Sequence, residues 1–155
     1  MSYYIKYMRP LKLTPSDVYL SELCELMKHY NDAIAGFTIA SSITKNPGLS
    51  KFLNKLSEMR KEIRDEIGTY LKENGGSPTY DRSFPGEMHN AIMLSKSIIP
   101  SNRDEDVVND CVKEEERLIK EVDGLLERSF DEPLKFILER HKDRISMRMM
   151  ILENI

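Results

Sequence analysis

The chain has 155 residues, enough for one domain with a hydrophobic core of its own. Its 23 Lys and Arg against 26 Asp and Glu give a net charge of −3, and this mild acidity with interspersed signs argues against a nucleic-acid-binding protein. No apolar run approaches the roughly 20 residues of a membrane-spanning helix, and the N-terminus lacks the unbroken apolar stretch of a signal peptide. We therefore expect neither nucleic acid nor a membrane as partner.

The N-terminal residues 1–13 show no helical periodicity, and we interpret them as an extended arm before a domain of residues 14–155. Thr14 and Pro15 are typical of an N-cap and a first helical position, so they predict the start of the first helix. Apolar residues then follow at steps of three and four, which predicts a packed helix to about residue 44. They are Leu20, Leu23, Met27, Tyr30, Ile34 and Phe37.

The second predicted helix begins at Asn46-Pro47 and ends at the sequence NGGSP of residues 74–78. Its apolar positions are Phe52, Leu56, Met59, Ile63, Ile67 and Tyr70. A short helix is predicted over 85–99, ended by Pro100, and a third long helix over roughly 104–129. The last helix begins at residues 131–133 and carries Leu134, Leu138, His141, Ile145, Met149 and Leu152.

The lengths of the connections predict the topology. Tight turns join the first two long helices and the last two, so each pair is antiparallel. The connection between the pairs, with its short helix, is long enough to return along the bundle. We therefore predict an all-α, ferritin-like four-helix bundle with a short crossover helix and an N-terminal arm.

Several short motifs resemble those of a known family. They are NPGL at 46–49, NGGSP at 74–78, GEMH at 86–89 together with Lys96, and the pair Cys111 and Glu115. With these motifs, roughly residues 16–153 resemble a bacterial ferritin-like domain family of unknown function, whose members are free-standing four-helix bundles. The resemblance implies the ferritin-like fold but no particular activity.

Ferritin-like bundles that bind a pair of metal ions use a carboxylate from each of two helices and a Glu-x-x-His motif from each of the others. None of the three histidines here has Glu three residues before it. The resemblance further implies that Ile34, Met59 and Met149 stand where relatives carry ligands, with only Glu115 still acidic. We therefore expect no metal cofactor. The alternative is iron or manganese held by Glu115 and His141.

Glu115 lies on the predicted apolar face of its helix, beside Cys111. An unpaired carboxylate buried there would cost several kcal/mol or become protonated, so we expect a partner on the last helix, with Arg148 as the first candidate. His141 and Tyr30 are expected to be hydrogen-bonded core residues in the same polar region.

Two further histidine and cysteine patterns favour structural interpretations. His29 and Asp32 lie three residues apart on the predicted polar face of the first helix, where we expect solvated charges rather than a surface metal site. The two cysteines, Cys24 and Cys111, form no C-x-x-C motif and fall at predicted core positions. Reduced, buried thiols are typical of a cytoplasmic protein, and a single structural disulfide is the alternative.

The functional hypothesis is a non-catalytic bundle that acts by association with itself or with a protein partner. A homodimer is favoured, since the arm carries three tyrosines that suit a contact surface. The methionines of SMRMM at 146–150 favour packing or an apolar partner surface over a soft-metal site. The alternative is a di-iron-type metal-binding oxidoreductase related to iron or oxidative stress.

Overall fold

Four long helices account for most of the chain that the computed structural model describes, namely residues 15–83, 103–129 and 131–155. They are α1 (Pro15–Ile43), α2 (Pro47–Glu73), α3 (Arg103–Arg128) and α4 (Glu132–Glu153), and no strand occurs within these ranges. The predicted all-α four-helix fold is confirmed. The arm of residues 1–13 and the short helix predicted over 85–99 lie outside the described residues, so both stay predictions.

The two ends of α2 show why the motifs there have their composition. At its start, the Asn46 side-chain oxygen accepts hydrogen bonds from the backbone N–H groups of Gly48 and Leu49, which caps the helix. At its end, Gly75 has a φ of +82°, a left-handed conformation that favours glycine. A Cβ on Gly76 would lie 2.9 Å from the Leu71 side chain. The two glycines of NGGSP therefore satisfy two separate constraints.

Contacts at the helix ends fix the direction of each helix. Asp104, at the start of α3, accepts hydrogen bonds from the backbone N–H groups of Lys45 and Asn46 in the α1–α2 turn. At the opposite end of the bundle, the Tyr70 hydroxyl of α2 donates to Asp131, just before α4. Consequently α2 and α3 are parallel, and α1 and α4 run the other way. Because α2 and α3 are parallel, the chain between them has to return along the bundle, which agrees with the crossover that the sequence predicts; residues 84–102 themselves lie outside the described ranges.

The packing of the helices creates two diagonals across the core. α1 packs against α2 and α3, and α4 packs against the same two helices. α1 therefore faces α4 diagonally, and α2 faces α3 diagonally, so side chains of these pairs meet only at the axis of the bundle. The buried apolar residues of all four helices form one continuous core around that axis.

The segment after α2 lies along α1. The Asn31 side-chain amide donates to the carbonyl oxygens of Thr79 and Asp81, and the Ser83 hydroxyl donates to Asp32. Because this segment covers it, Asp32 is only 2 % exposed. The expectation of a solvated Asp32 is therefore wrong.

None of the described helices is both long and apolar enough to span a lipid bilayer.

Candidate functional site

Four polar side chains, one from each helix, meet at the axis of the bundle. They are Tyr30 of α1, Arg60 of α2, Glu115 of α3 and His141 of α4, and each is fully buried. We call them the core quartet. Arg60 and Glu115 are joined across one diagonal of the bundle and Tyr30 and His141 across the other. The quartet thus places polar contacts between helix pairs that, among the described residues, face each other across the apolar core.

A charged pair spans the α2–α3 diagonal. The Arg60 Nη2 atom donates to both carboxylate oxygens of Glu115, at 2.6 and 2.7 Å. Both side chains are removed from water, with exposed fractions of 0 % for Arg60 and 1 % for Glu115. Losing one partner of such a pair leaves an uncompensated charge in the core, which costs far more than losing a surface ion pair.

The rest of the guanidinium group lies against aromatic rings. Its central carbon is 5.3 Å from the ring centroid of Tyr30 and 5.7 Å from that of Phe37. Two of its nitrogen atoms, Nε and Nη1, are buried with no hydrogen-bond partner among the residues described. A ring face attracts a cation, so one carboxylate and two rings together stabilise the buried positive charge.

Burial also governs the acidic groups beside Arg60. It raises the pKa of Glu115, and Arg60 opposes this effect by charge and by hydrogen bonding without cancelling it. One turn earlier on α3, burial raises the pKa of the Cys111 thiol, with the Glu115 charge adding to the effect. Cys111 therefore remains a protonated, unreactive thiol at neutral pH.

The α1–α4 diagonal is neutral. Burial lowers the pKa of His141 to about 4, although the carboxylate of Glu66 opposes the shift. His141 Nε2 lies 2.7 Å from Glu66 Oε2, so the single proton of the neutral imidazole belongs on Nε2, donating to that carboxylate. Its Nδ1 then accepts from the Tyr30 hydroxyl at the long distance of 3.5 Å.

The structure brings three of the predicted site residues together and replaces the fourth. Glu115, His141 and Tyr30 all belong to the core quartet, but Arg148 is exposed on α4. The prediction of Arg148 as the partner of Glu115 is wrong, because Arg60 fills that role from the helix diagonally opposite. Arg144, the residue one turn earlier on α4, instead donates to Glu62 of α2.

A sequence signal for Arg60 was present. Arg60 lies four residues after Leu56 and three before Ile63, so it continues the three-and-four spacing of the buried positions of α2. The apolar pattern predicts its neighbour Met59 for that place, since methionine is the apolar residue of the two. Met59 is buried too, at 6 % exposed, but Arg60 is the residue that reaches the bundle axis.

The other positions at which the resemblance implies lost ligands lie near the core quartet. Ile34 is one turn after Tyr30 on α1, and Met149 is two turns after His141 on α4. Both side chains are only partly buried. The polar positions at the axis belong instead to Tyr30 and His141.

The core quartet does not fit a divalent metal centre. Both oxygens of Glu115 are bound by Arg60, and Glu66 is bound by His141 and Arg140. Within the described ranges, no three His, Cys, Asp or Glu side chains are grouped so that they could hold a metal ion. Hard dications require several oxygen ligands, and the guanidinium charge would repel them.

Two half-buried side chains form a separate contact between α1 and α3. His29 Nδ1 lies 2.7 Å from the carboxylate oxygens of Glu121. The hydrogen bond to Glu121 raises the pKa of His29 and outweighs its partial burial. His29 was expected to be solvated, and it is instead a packing contact between these two helices.

Comparison with known proteins identifies a family but no activity. The model of a family described as a domain of unknown function, DUF2383, matches residues 18–128. The matched stretch includes most of α1 and all of α2 and α3. It therefore contains three members of the core quartet, namely Tyr30, Arg60 and Glu115. No curated protein matches the chain.

Proposed function

We propose that this chain, which belongs to the DUF2383 family of domains of unknown function, is a non-catalytic ferritin-like bundle that acts by association with itself or with a protein partner. Its interior would serve to hold the bundle together rather than to carry out a reaction. The crossover between the parallel helices α2 and α3 supports the ferritin-like assignment.

One observation carries the proposal, namely the guanidinium group of Arg60 at the bundle axis. Ferritin-like bundles that perform redox chemistry hold their metal ions between inward-facing carboxylates and histidines of the four helices. In this chain the corresponding interior region contains a cation supplied by the protein itself, bound to Glu115 and lying within about 6 Å of the centroids of two aromatic rings. A cation that is part of the fold stabilises the carboxylate without offering any open coordination position.

The remaining polar groups of the core also lack the properties of catalysts. His141 is neutral and both of its nitrogens are engaged by Tyr30 and Glu66. Burial raises the pKa values of Tyr30 and Cys111, so neither is ionised at neutral pH. A nucleophile paired with a base is the usual sign of covalent catalysis. The Tyr30 hydroxyl and His141 are such a combination by residue type, but their contact is long, at 3.5 Å, and both side chains are fully buried, away from any substrate.

The two cysteines support a cytoplasmic location as part of the proposal. Cys24 and Cys111 are both free thiols, the first partly buried and the second buried. Thiols of this kind persist in a reducing compartment.

Metal analysis tests the proposal. The full-length chain is purified without chelators, and its iron, manganese and zinc contents are measured together with its rate of Fe(II) oxidation. We expect no stoichiometric metal and no oxidation above the rate in buffer. The variants Glu115→Ala and Glu116→Ala are measured in parallel, since Glu116 is the exposed neighbour on the same helix.

The opposite result would promote the di-iron-type alternative. Two metal ions per chain that persist in Glu116→Ala and are lost in Glu115→Ala, with circular dichroism showing that Glu115→Ala is still folded, would show that the interior is a metal centre. The same pattern in Fe(II) oxidation would make the protein an oxidoreductase.

A further inference from the structure

α4 carries apolar residues on two opposite faces. Its inner face contributes Leu134, Leu138, Ile145 and Leu152 to the core. Its outer face carries Phe136, Met147 and Met150, which are 64, 67 and 60 % exposed. Large apolar side chains at the most exposed positions of a helix are typical of a contact surface when they fall in one stripe.

The outer residues fall in such a stripe. Pro133, Phe136, Arg140, Asp143, Met147 and Met150 follow one another at steps of 3, 4, 3, 4 and 3, and all six are exposed. This is the spacing of the contact seam of a two-helix coiled coil. We call these six residues the outer seam. The seam runs along α4 on the side opposite the core.

The outer seam is complementary to itself when it is reversed. In an antiparallel pair with a two-fold axis between positions 141 and 142, Phe136 lies opposite Met147 of the second copy, and Pro133 opposite its Met150. Arg140 then lies opposite Asp143 of the second copy, and the same three contacts repeat on the other side of the axis. Apolar side chains meet apolar ones and opposite charges meet, as an isologous interface requires.

The structure also holds one of the charged groups of the seam in position. The Arg140 guanidinium carbon lies 5.4 Å from the ring centroid of Phe136. Its Nη2 atom donates to Glu66 of α2. The side chain is therefore ordered before any partner binds, which lowers the entropy cost of association.

We propose that the outer seam binds a second copy of this chain, with the two α4 helices packed antiparallel as described. The inference rests on the proposed function, of which it specifies the partner and the surface. The contact consists of a single helix pair, so the dimer forms and dissociates with concentration rather than being permanent.

Charge reversal with mixing tests the pairing. Arg140→Glu places an acid opposite Asp143, and Asp143→Arg places a base opposite Arg140, so each variant alone should repel its own copy. We expect the dimer dissociation constant from analytical ultracentrifugation to rise at least tenfold for each variant. An equimolar mixture of the two restores opposite charges across the axis, and we expect it to form a heterodimer with near wild-type affinity.

Controls separate the pairing from the fold. Arg148→Glu changes the charge equally on an exposed residue of α4 outside the seam, and it should leave the dimer intact. Because Arg140 also binds Glu66, circular dichroism must show that Arg140→Glu is folded. Met147→Lys, which buries a charge against Phe136 of the second copy, gives the same loss of dimer without touching that ion pair.

Three outcomes would overturn the inference. They are a wild-type chain that stays monomeric at the highest accessible concentration, variants that do not recover on mixing, and a dimer that is lost only when residues 2–13 are deleted. The last two would leave association, and with it the proposed function, standing on another surface. A chain that instead bound two metal ions would contradict the proposed function whatever its oligomeric state.

Discussion

The two diagonals of the bundle hold polar residues at the same level, yet one accommodates them as a charged pair and the other as neutral groups. The α2–α3 diagonal is a charged pair with contacts of 2.6 and 2.7 Å, whereas the α1–α4 diagonal is a neutral contact at 3.5 Å. The first is strong and sensitive to the loss of either partner. The second is weak, and its histidine depends on a half-exposed carboxylate, Glu66.

The difference follows from whether the polar groups of each diagonal can reach solvent or lose their charge. Arg60 and Glu115 have no access to water and must neutralise one another inside the core. His141 is neutral and therefore needs no counter-charge in the core. Its Nε2 proton is donated to the carboxylate of Glu66, which lies near the surface. A buried charge therefore needs a partner in the core, whereas a buried titratable group can lose its charge instead.

The largest effect is expected from breaking the charged diagonal. Arg60→Ala should destabilise the fold by about 3–5 kcal/mol, because Glu115 would remain buried without a counter-charge. Arg60→Met combined with Glu115→Leu should cost much less than the single change, since both charges leave the core together. Chemical denaturation of the two variants and of Glu115→Leu alone measures the coupling. Equal losses in all three would mean that the pair is not the source of the stability.

The neutral diagonal should make stability depend on pH. His141 has a pKa of about 4 in the fold, against 6.5 for an ordinary histidine, so between these values the unfolded chain binds the proton and the native one does not. The free energy of unfolding should therefore fall as the pH is lowered from 6.5 to 4, by on the order of 3 kcal/mol. Urea denaturation at a series of pH values measures this slope.

His141→Gln provides the control for that slope, because glutamine does not titrate. Other groups near His141 act in other windows or with the opposite sign. Burial tends to raise the pKa of Glu66, but Arg140 and His141 lower it overall, so its contribution is lost only below 4.5. The raised pKa of Glu115 makes that residue favour the fold at lower pH. A slope between pH 5 and 6.5 that persists in His141→Gln would rule out His141 as its source.

A smaller effect should distinguish the hydroxyl of Tyr30 from its ring. Tyr30→Phe removes the 3.5 Å contact to His141 but keeps a ring beside Arg60. We expect a loss below about 1 kcal/mol, the usual net value of one hydrogen bond, because the contact is long. Tyr30→Leu removes both contacts and should cost clearly more. If the two variants proved equally stable, the ring would make no contribution to holding the guanidinium group.

The all-α four-helix fold could be predicted from the sequence because local residue patterns mark the ends and the buried face of a helix. Asn46 with Pro47, and the glycines at 75 and 76, mark the ends of α2 by local chemistry alone. The buried position of Glu115 also follows from local periodicity. These are properties of single helices, which one sequence records.

The partner of Glu115 could not be predicted from local patterns, because it depends on how the four helices are arranged. The sequence-based prediction places the partner on the other helix of the same hairpin, at Arg148. The structure places α2 diagonally opposite α3, so the partner comes from the other hairpin. Asp32 was misassigned for a similar reason, since only the folded segment 77–83 reveals that it is covered.

The smallest effect is expected for Arg148, the predicted partner of Glu115 that the structure places at the surface. It compares an arginine outside the core with the buried Arg60. Arg148→Ala should change stability by no more than about 0.5 kcal/mol, because the side chain is exposed on α4. Arg144→Ala breaks the ion pair with Glu62 at 2.6 Å, yet Glu62 is exposed, so a loss of only about 0.2–1 kcal/mol is expected. Thermal melts of both variants beside Arg60→Ala compare three arginines of the same bundle. A loss of several kcal/mol for Arg148→Ala, together with little loss for Arg60→Ala, would place Arg148, and not Arg60, opposite Glu115.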